Sequence, residues 1–268
     1  MIKEIHSFDS YEDFIKDFFG NSVFADPHLE FDHGNLYRSL NKDDRKVFLV
    51  TKDETVKGLF VWLILPDDQY IEMLIGLSKE AAPIQEMLAY MEDSYRGYQL
   101  DFVINPQHHV FCDLLQSKHA KFDAEQQWMV WEKEVENQYP YEIVLLSPEY
   151  EAQYMEKHSI DTYWTAEKVI NAKDRFRVFL ALHEGRVVGY LDVTHCYEKN
   201  EPYALWVDDA FQDQGYAQAL LQAATHMNKP KKMMVLVDVH HFDEIEMLQS
   251  IGFVPAVGTN SVCATYQA

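Results

Sequence analysis

The chain has 268 residues, with 23 Lys and Arg against 44 Asp and Glu and a formal net charge of −21. Its 47% hydrophobic and 14% aromatic content suffices for a real core, about two domains' worth of chain, and excludes a largely disordered protein. So acidic a chain repels a nucleic-acid backbone or an anionic membrane at long range, so neither is expected as a partner, whereas a cationic amine is compatible with it.

Residues 1–45 read as an opening strand followed by amphipathic helical material, with Tyr11, Phe14, Ile15, Phe18 and Phe19 forming an apolar stripe. Apolar runs at 46–51 and 56–65, separated by Asp53-Glu54, carry the signature of a β-hairpin. A third strand is expected at 69–77, a helix at 82–90 with Pro83 in its first turn, a strand at 100–105, a helix at 109–116 and a strand at 127–132. The same order then returns: strand 178–182, the turn His183-Glu184-Gly185-Arg186, strand 187–193, strand 202–207, helix 215–226, strand 233–239 and helix 243–250. Val47 and Val178, Gly58 and Gly189, and Phe122 and Phe253 all stand 131 positions apart, so the chain reads as one fold written twice. The polar stretch 136–141 places the boundary, giving expected domains of 1–136 and 137–268.

Three widely spaced cysteines, Cys112, Cys196 and Cys263, do not make a disulfide framework. No basic patch followed by an apolar core opens the chain, and the longest apolar run, 58–66, is too short to span a bilayer. A cytoplasmic protein is expected. His240-His241 and His195-Cys196 come without metal-ligand spacing, so no metal is expected. Met87, Met91, Trp62 and Trp131 are expected in the core.

The segment with chemistry in it is 205–221, LWVDDAFQDQGYAQALL. A strand leads into a polar, glycine-bearing turn and a helix start, where unpaired backbone N–H groups and the positive end of the helix dipole meet. That geometry suits a phosphate or pyrophosphate. Gly215 permits close approach, Ala217 keeps the helix start slim, and Gln212 is an uncharged donor.

The pattern Leu205-x-Val207, then Gln212-Asp213-Gln214-Gly215-Tyr216-Ala217, then Leu220-Leu221, resembles the signature of the GNAT acetyltransferase superfamily. The preceding hairpin and the later helix closed by Gly252-Phe253 match the order of that family, and the resemblance covers about 141–266. It implies an α+β fold, a tandem GNAT-like acyl-CoA acyltransferase with a mixed, mostly antiparallel central sheet and flanking helices in each half. It also implies acetyl-CoA as cosubstrate. The pyrophosphate would lie on the N–H groups of Gln214, Gly215, Ala217 and Gln218, and the pantetheine arm would run beside Leu205 and Val207 like an added strand. A neutral primary amine, on a small molecule or peptide, would attack the thioester directly, with an N–H of Trp206 or Val207 facing the developing oxyanion.

At the position where the family usually holds a general-acid Tyr stands Leu248, and His241 replaces a common Asn. Candidates for proton transfer are therefore His241, Glu201 and Tyr203, with His195 a weaker one. Three readings follow: an N-acetyltransferase, as a monomer or homodimer; a non-catalytic acyl-CoA-binding regulatory or structural module; or an internally repeated structural protein. The 131 offset lays Gln212 over Ala81, Gly215 over Ile84 and Ala217 over Glu86, where Pro83 removes a donor. The first half is expected to be a degenerate copy that does not bind CoA and either serves a structural role or lines the acceptor cleft between the halves.

Overall fold

The computed structural model describes residues 1–31, 33–40, 42–136, 139–160 and 162–268. In chain order the elements are β1 (Ile2–Glu4), α1 (Glu12–Lys16), α2 (Pro27–Phe31), α3 (Gly34–Tyr37), β2 (Arg45–Lys52), β3 (Thr55–Leu65), β4 (Tyr70–Leu77), α4 (Ala81–Ser94), β5 (Gln99–Ile104), α5 (His109–Ser117), β6 (Lys121–Phe122) and β7 (Gln126–Trp131). There follow β8 (Glu142–Leu145), α6 (Glu151–Lys157), α7 (Ala166–Asn171), β9 (Phe176–His183), β10 (Arg186–Thr194), β11 (Lys199–Asn200), β12 (Pro202–Val207), α8 (Tyr216–Asn228), β13 (Lys232–Asp238), α9 (Phe242–Ser250), β14 (Phe253–Pro255) and β15 (Val262–Gln267).

Two compact units result, one of Met1–Gln127 with Val257–Ala268, the other of Trp128–Ala256. Among the described residues the first unit holds a seven-stranded sheet ordered β1-β2-β3-β4-β5-β15-β6. Its central strands β2 and β3 are apolar and buried over 47–50 and 58–62 because both faces are covered there, whereas β5 and β15 alternate between buried and part-exposed positions. Val47, Leu49, Leu59 and Val61 turn to the side packed by Ile15, Phe18, Leu29 and Leu36, and Phe48, Phe60 and Trp62 turn to the side packed by Met87, Met91 and Phe111. In the second unit the sheets run β12-β10-β9-β8 and β11-β13-β7-β14. Leu180 and Leu182 face α6 and α7, while Phe179 and Ala181 face α8, with Leu220 and Ala224 packed against them.

The repeat is visible in the hairpins. β2 and β3 begin at 45 and 55, β9 and β10 at 176 and 186, each 131 apart. Asp53 and Glu54 in one turn, and Glu184 and Gly185 in the other, all have positive φ, as a two-residue hairpin turn of primed type requires.

The units divide elsewhere than at the expected 136/137 boundary, and Asn137 and Gln138 lie outside the described residues. β7, from the first half of the sequence, pairs with β14 through Phe253↔Trp131, Val254↔Val130 and Pro255↔Met129. β15, from the second half, pairs with β5 from Val262↔Ile104 to Gln267↔Gln99 and with β6. Each copy of the fold is thus completed by the last strand of the other copy.

Candidate functional site

β11 pairs in parallel with β13 through Lys199↔Lys232 and Asn200↔Met233. The chain then enters β12, which pairs antiparallel with β10 and, among the described residues, with no strand on its other side. β12 and β13 leave a common point and part, forming a wedge. Asn200 pins its vertex: fully buried, its side-chain amide donates to Tyr197 O (2.8 Å) and Asn228 Oδ1 (3.0 Å), and its Oδ1 accepts from Tyr197 N–H (3.0 Å).

Which backbone groups face the wedge follows from register. Asp192 pairs with Ala204 and Val193 with Pro202, leaving Tyr203 as the extra residue of a bulge. Asp208 N–H donates to Val188 O (2.9 Å), so by the two-residue alternation Trp206 also faces β10, and Leu205 and Val207 direct N–H and C=O toward the open edge. Trp206 is therefore corrected as an oxyanion donor, because its N–H is committed to the sheet.

The first unit has the same bulge: Val61 pairs with Ile75 and Trp62 with Met73, leaving Leu74 extra. Register thus equates Leu74 with Tyr203 and Gly76 with Leu205. There the edge is filled. His28 Nδ1–H donates to Leu74 O (2.7 Å), and Gly76 N–H donates to Asp26 Oδ2 (2.8 Å). Asp26 Oδ1 accepts from His28 and Leu29 N–H, and burial pushes its carboxyl up to about 6. β4 and β5 are also paired in parallel from Tyr70↔Gln99 to Met73↔Phe102.

After β12, Asp208 Oδ1 accepts from Ala210 N–H (3.1 Å) and a 3-10 turn runs over Asp209–Phe211. Gln212 Nε2 donates to Asp209 Oδ1 (2.9 Å) and Gln214 Nε2 to Ala210 O (2.8 Å), so the Gln212 amide braces the turn. Asp213 has φ 58° and Gly215, the residue before α8, has φ 92°. A Cβ at 215 would sit 2.5 Å from the Tyr139 ring, so glycine is required by conformation and by space. Tyr141 donates its hydroxyl to Gln214 O and stacks on Tyr216 at 3.9 Å. Tyr216 is buried, with its hydroxyl 3.1 Å from His183 Nδ1, which leaves only its backbone for a ligand. The N–H groups of Tyr216, Ala217 and Gln218 lie in the first turn and have no acceptor within the helix.

The corresponding turn of the first unit, between Leu77 and Ala81, has three residues where the second has eight. The overlay of Gln212, Gly215 and Ala217 on Ala81, Ile84 and Glu86 is therefore corrected. The offset of 131 holds for the hairpins and is lost at the third strand, and α4 begins where α8 begins. Pro83 lies in the first turn of α4, and Glu86 pairs with the Met1 ammonium at 2.9 Å.

The proton-transfer candidates separate. Glu201 and Tyr203 flank the vertex. Burial raises the Glu201 carboxyl above its ordinary 4.5, and among the described residues it has no hydrogen-bond or ion-pair partner. Tyr203 accepts from Trp164 N–H (3.2 Å) and meets Phe176 edge-on. His241 follows the far end of β13, whose seven residues span about 20 Å from the vertex end. It is exposed, with Asp238 at 3.9 Å and Glu244 at 3.5 Å. The structure thus does not bring His241 together with Glu201. His195 Nε2 donates to Lys173 O (3.0 Å) and is engaged in the loop. Leu248 is buried in the core.

One cluster escapes the motif reading. On β10, Asp192 is fully buried and accepts from the Tyr154 hydroxyl (2.9 Å to each oxygen), with His158 Nε2 2.9 Å away. His158 Nδ1–H donates to Ser159 O (2.9 Å), so one proton lies between His158 and Asp192. The hydrogen bond to Asp192 raises the His158 pKa. Tyr190 stacks on both His158 and Trp206, linking the cluster to β12. Its signal was the charged residue inside an apolar run, VVGYLDV.

The parted strands, the open edge and the glycine-led helix start are those of a GNAT acyltransferase fold. Residues 174–255 match the family described as "Acetyltransferase (GNAT) domain", and the resemblance read from 205–221 stands. Solved structures share the fold at low identity. A GCN5-related N-acetyltransferase from Sphaerobacter thermophilus is 10% identical with TM-score 0.63, covering 88% of this chain and 85% of that one. A tandem GNAT protein from the clavulanic acid biosynthesis pathway is 11% identical with TM-score 0.58, covering 100% and 98%. A GNAT-family acetyltransferase from Colwellia psychrerythraea is 13% identical with TM-score 0.56, covering both chains fully. No curated protein matches the sequence. Among the described residues no helix is long and apolar enough to cross a membrane, and no His, Cys, Asp and Glu cluster could hold a metal ion.

Proposed function

We propose that the second unit is an acetyl-CoA-dependent N-acetyltransferase acting on a primary amine by direct attack. Acetyl-CoA would supply the acyl group as a thioester. The observation that supports this most is the open edge at Leu205. Its counterpart in the first unit, Gly76 N–H, holds a carboxylate oxygen, which supports reading the Leu205 N–H as a donor for a developing oxyanion. Phosphates would rest on the N–H groups of Gly215, Ala217 and Gln218, with the arm against Leu205 and Val207. Glu201 would take the proton from the attacking amine as the C–N bond forms and the C–S bond breaks. A thiolate leaves at modest cost without an acid, consistent with Leu248. The first unit, its edge filled by Asp26 and His28 and its turn shortened, is the copy that does not bind CoA.

Calorimetry with acetyl-CoA, paired with thiol release on an amine panel, tests this reading, and one site per chain is expected. Gly215→Asp should weaken acetyl-CoA binding by roughly 100-fold or more, since left-handed φ, lost approach and negative charge act together. Unchanged affinity would refute the phosphate assignment. Glu201→Gln should lower kcat/KM by about 10²- to 10⁴-fold. It should also remove an acidic limb that in the native enzyme lies above the ordinary carboxylate range, because Glu201 must be deprotonated to act. A pH profile unaltered by the substitution would exclude Glu201 as the base. The buried Leu248 favours one second reading, a CoA-binding module without turnover, marked by tight binding and no thiol release with any amine.

A further inference from the structure

Arg175, immediately before β9, is a partly buried cation to which the fold, among the described residues, gives no anion. Its guanidinium carbon lies 4.7 Å from the Trp164 ring, 5.6 Å from Phe176 and 5.7 Å from Tyr197. Nε is shielded from solvent and has no acceptor. Among the described residues no carboxylate pairs with it, although the chain carries 44 acids. Aromatic faces compensate a cation only in part, and a partly buried guanidinium with no counterion and an unpartnered Nε has its pairing capacity unspent. Its backbone is fixed, with N–H donating to Ala172 O and C=O accepting from His195 N–H, both at 2.9 Å.

The cluster sits at the vertex end of the wedge. Phe176 packs on Tyr203, the bulge residue of β12, at 5.9 Å, and Trp164 N–H donates to the Tyr203 hydroxyl. With phosphates at the turn after Val207, an acyl arm running back along β12 points its reactive end toward Tyr203, so the acceptor amine arrives beside Arg175. Arg175 lies against the Tyr197 ring, and Tyr197 feels the charges of both Arg175 and Glu201, so a cation and a carboxylate stand near one residue.

We infer that Arg175 is a specificity residue that binds an anionic group on the acceptor, and that the acceptor is an amine also bearing a carboxylate, with its nitrogen toward Glu201. A guanidinium pairs with a carboxylate through two parallel N–H···O bonds, a match an ammonium cannot reproduce. This rests on the acyltransferase reading of the second unit.

The test compares phenylalanine, tyrosine, lysine and leucine with their decarboxylated amines, by thiol release from acetyl-CoA and by calorimetry on the full-length protein. For at least one pair the carboxylated member should have a KM at least tenfold lower. Arg175→Gln should bring that ratio to about one, Arg175→Lys should retain part of it, and the melting temperature should fall only slightly, because ring contacts but no internal ion pair are lost. A native ratio near one in every pair, or a ratio that survives Arg175→Gln, overturns the inference. If acetyl-CoA binds but no amine releases thiol, the catalytic reading fails by itself. Calorimetry then decides: amino-acid binding that Arg175→Gln abolishes sustains the anion site, and no amino-acid binding by the native protein refutes it.

Discussion

Residues 1–136 and residues 137–268, produced as separate polypeptides, should each fail to fold cooperatively, and mixing them should restore the native circular dichroism. The fragment beginning at 137 lacks β7, which lies between β13 and β14, and so loses the fully buried Met129 and the indole of Trp131, whose Nε1–H donates to Ile251 O at 3.1 Å. The fragment ending at 136 lacks β15 and with it the buried side chains of Val262, Ala264 and Tyr266 and six residue pairings with β5. At roughly 1.5–3 kcal/mol for each large apolar side chain, β15 alone contributes several kcal/mol. That is comparable with the whole stability of an ordinary domain, about 5–15 kcal/mol. Sedimentation and denaturant titration of each fragment provide the check. A cooperative, monomeric 137–268 fragment would show that β7 is dispensable.

Asp192→Ala should destabilise the second unit by about 3–5 kcal/mol, the range for removing one partner of a buried, hydrogen-bonded ion pair. The substitution leaves the Tyr154 hydroxyl and His158 Nε2 buried without an acceptor. Asp192→Asn keeps an oxygen for Tyr154 and offers an N–H to His158, so it should cost markedly less. The pH dependence has a definite sign. The hydrogen bond to Asp192 raises His158 above its ordinary 6.5, so its contribution is complete below 6.5 and is lost as pH climbs through the raised value. The stability gap between native protein and Asp192→Asn should accordingly narrow as pH rises past 6.5 and through the raised value. Urea denaturation from pH 5 to 9 measures both effects, and a loss below 1 kcal/mol for Asp192→Ala would contradict the role given to the network.

Much of this was legible in the chain because it is local. Paired apolar runs around Asp53-Glu54 and Glu184-Gly185 specify hairpins, and Gly215 between a strand and a helix specifies the turn. The exchange of β7 and β15 was not legible. Alternation says that QWMVW is a strand, but nothing in it distinguishes one of two similar sheets from the other. The 131 offset misled at the third strand, since insertions and deletions of a few residues, five in the turn that follows that strand, leave the pattern intact while shifting every number after them. Arg175 and Asp192 were passed over because each sits in or beside a strongly apolar strand, where a lone charge reads as a break in the pattern. The wedge escaped notice because it is defined by a pairing that β12 does not make.

The filled edge at Leu74 and Gly76 bears on how the chain guards itself. An unpaired strand edge is adhesive toward any extended polypeptide. The first unit has met this hazard permanently, since Asp26 and His28 are tethered to the strand they cover and act at a high effective concentration that no dilution lowers. Among the described residues the second unit has no such cover at Leu205 and Val207, so under the proposed function its cosubstrate would be what shields that edge. On that proposal, loss of the cosubstrate would expose an adhesive edge in one copy of the fold and leave the other unchanged.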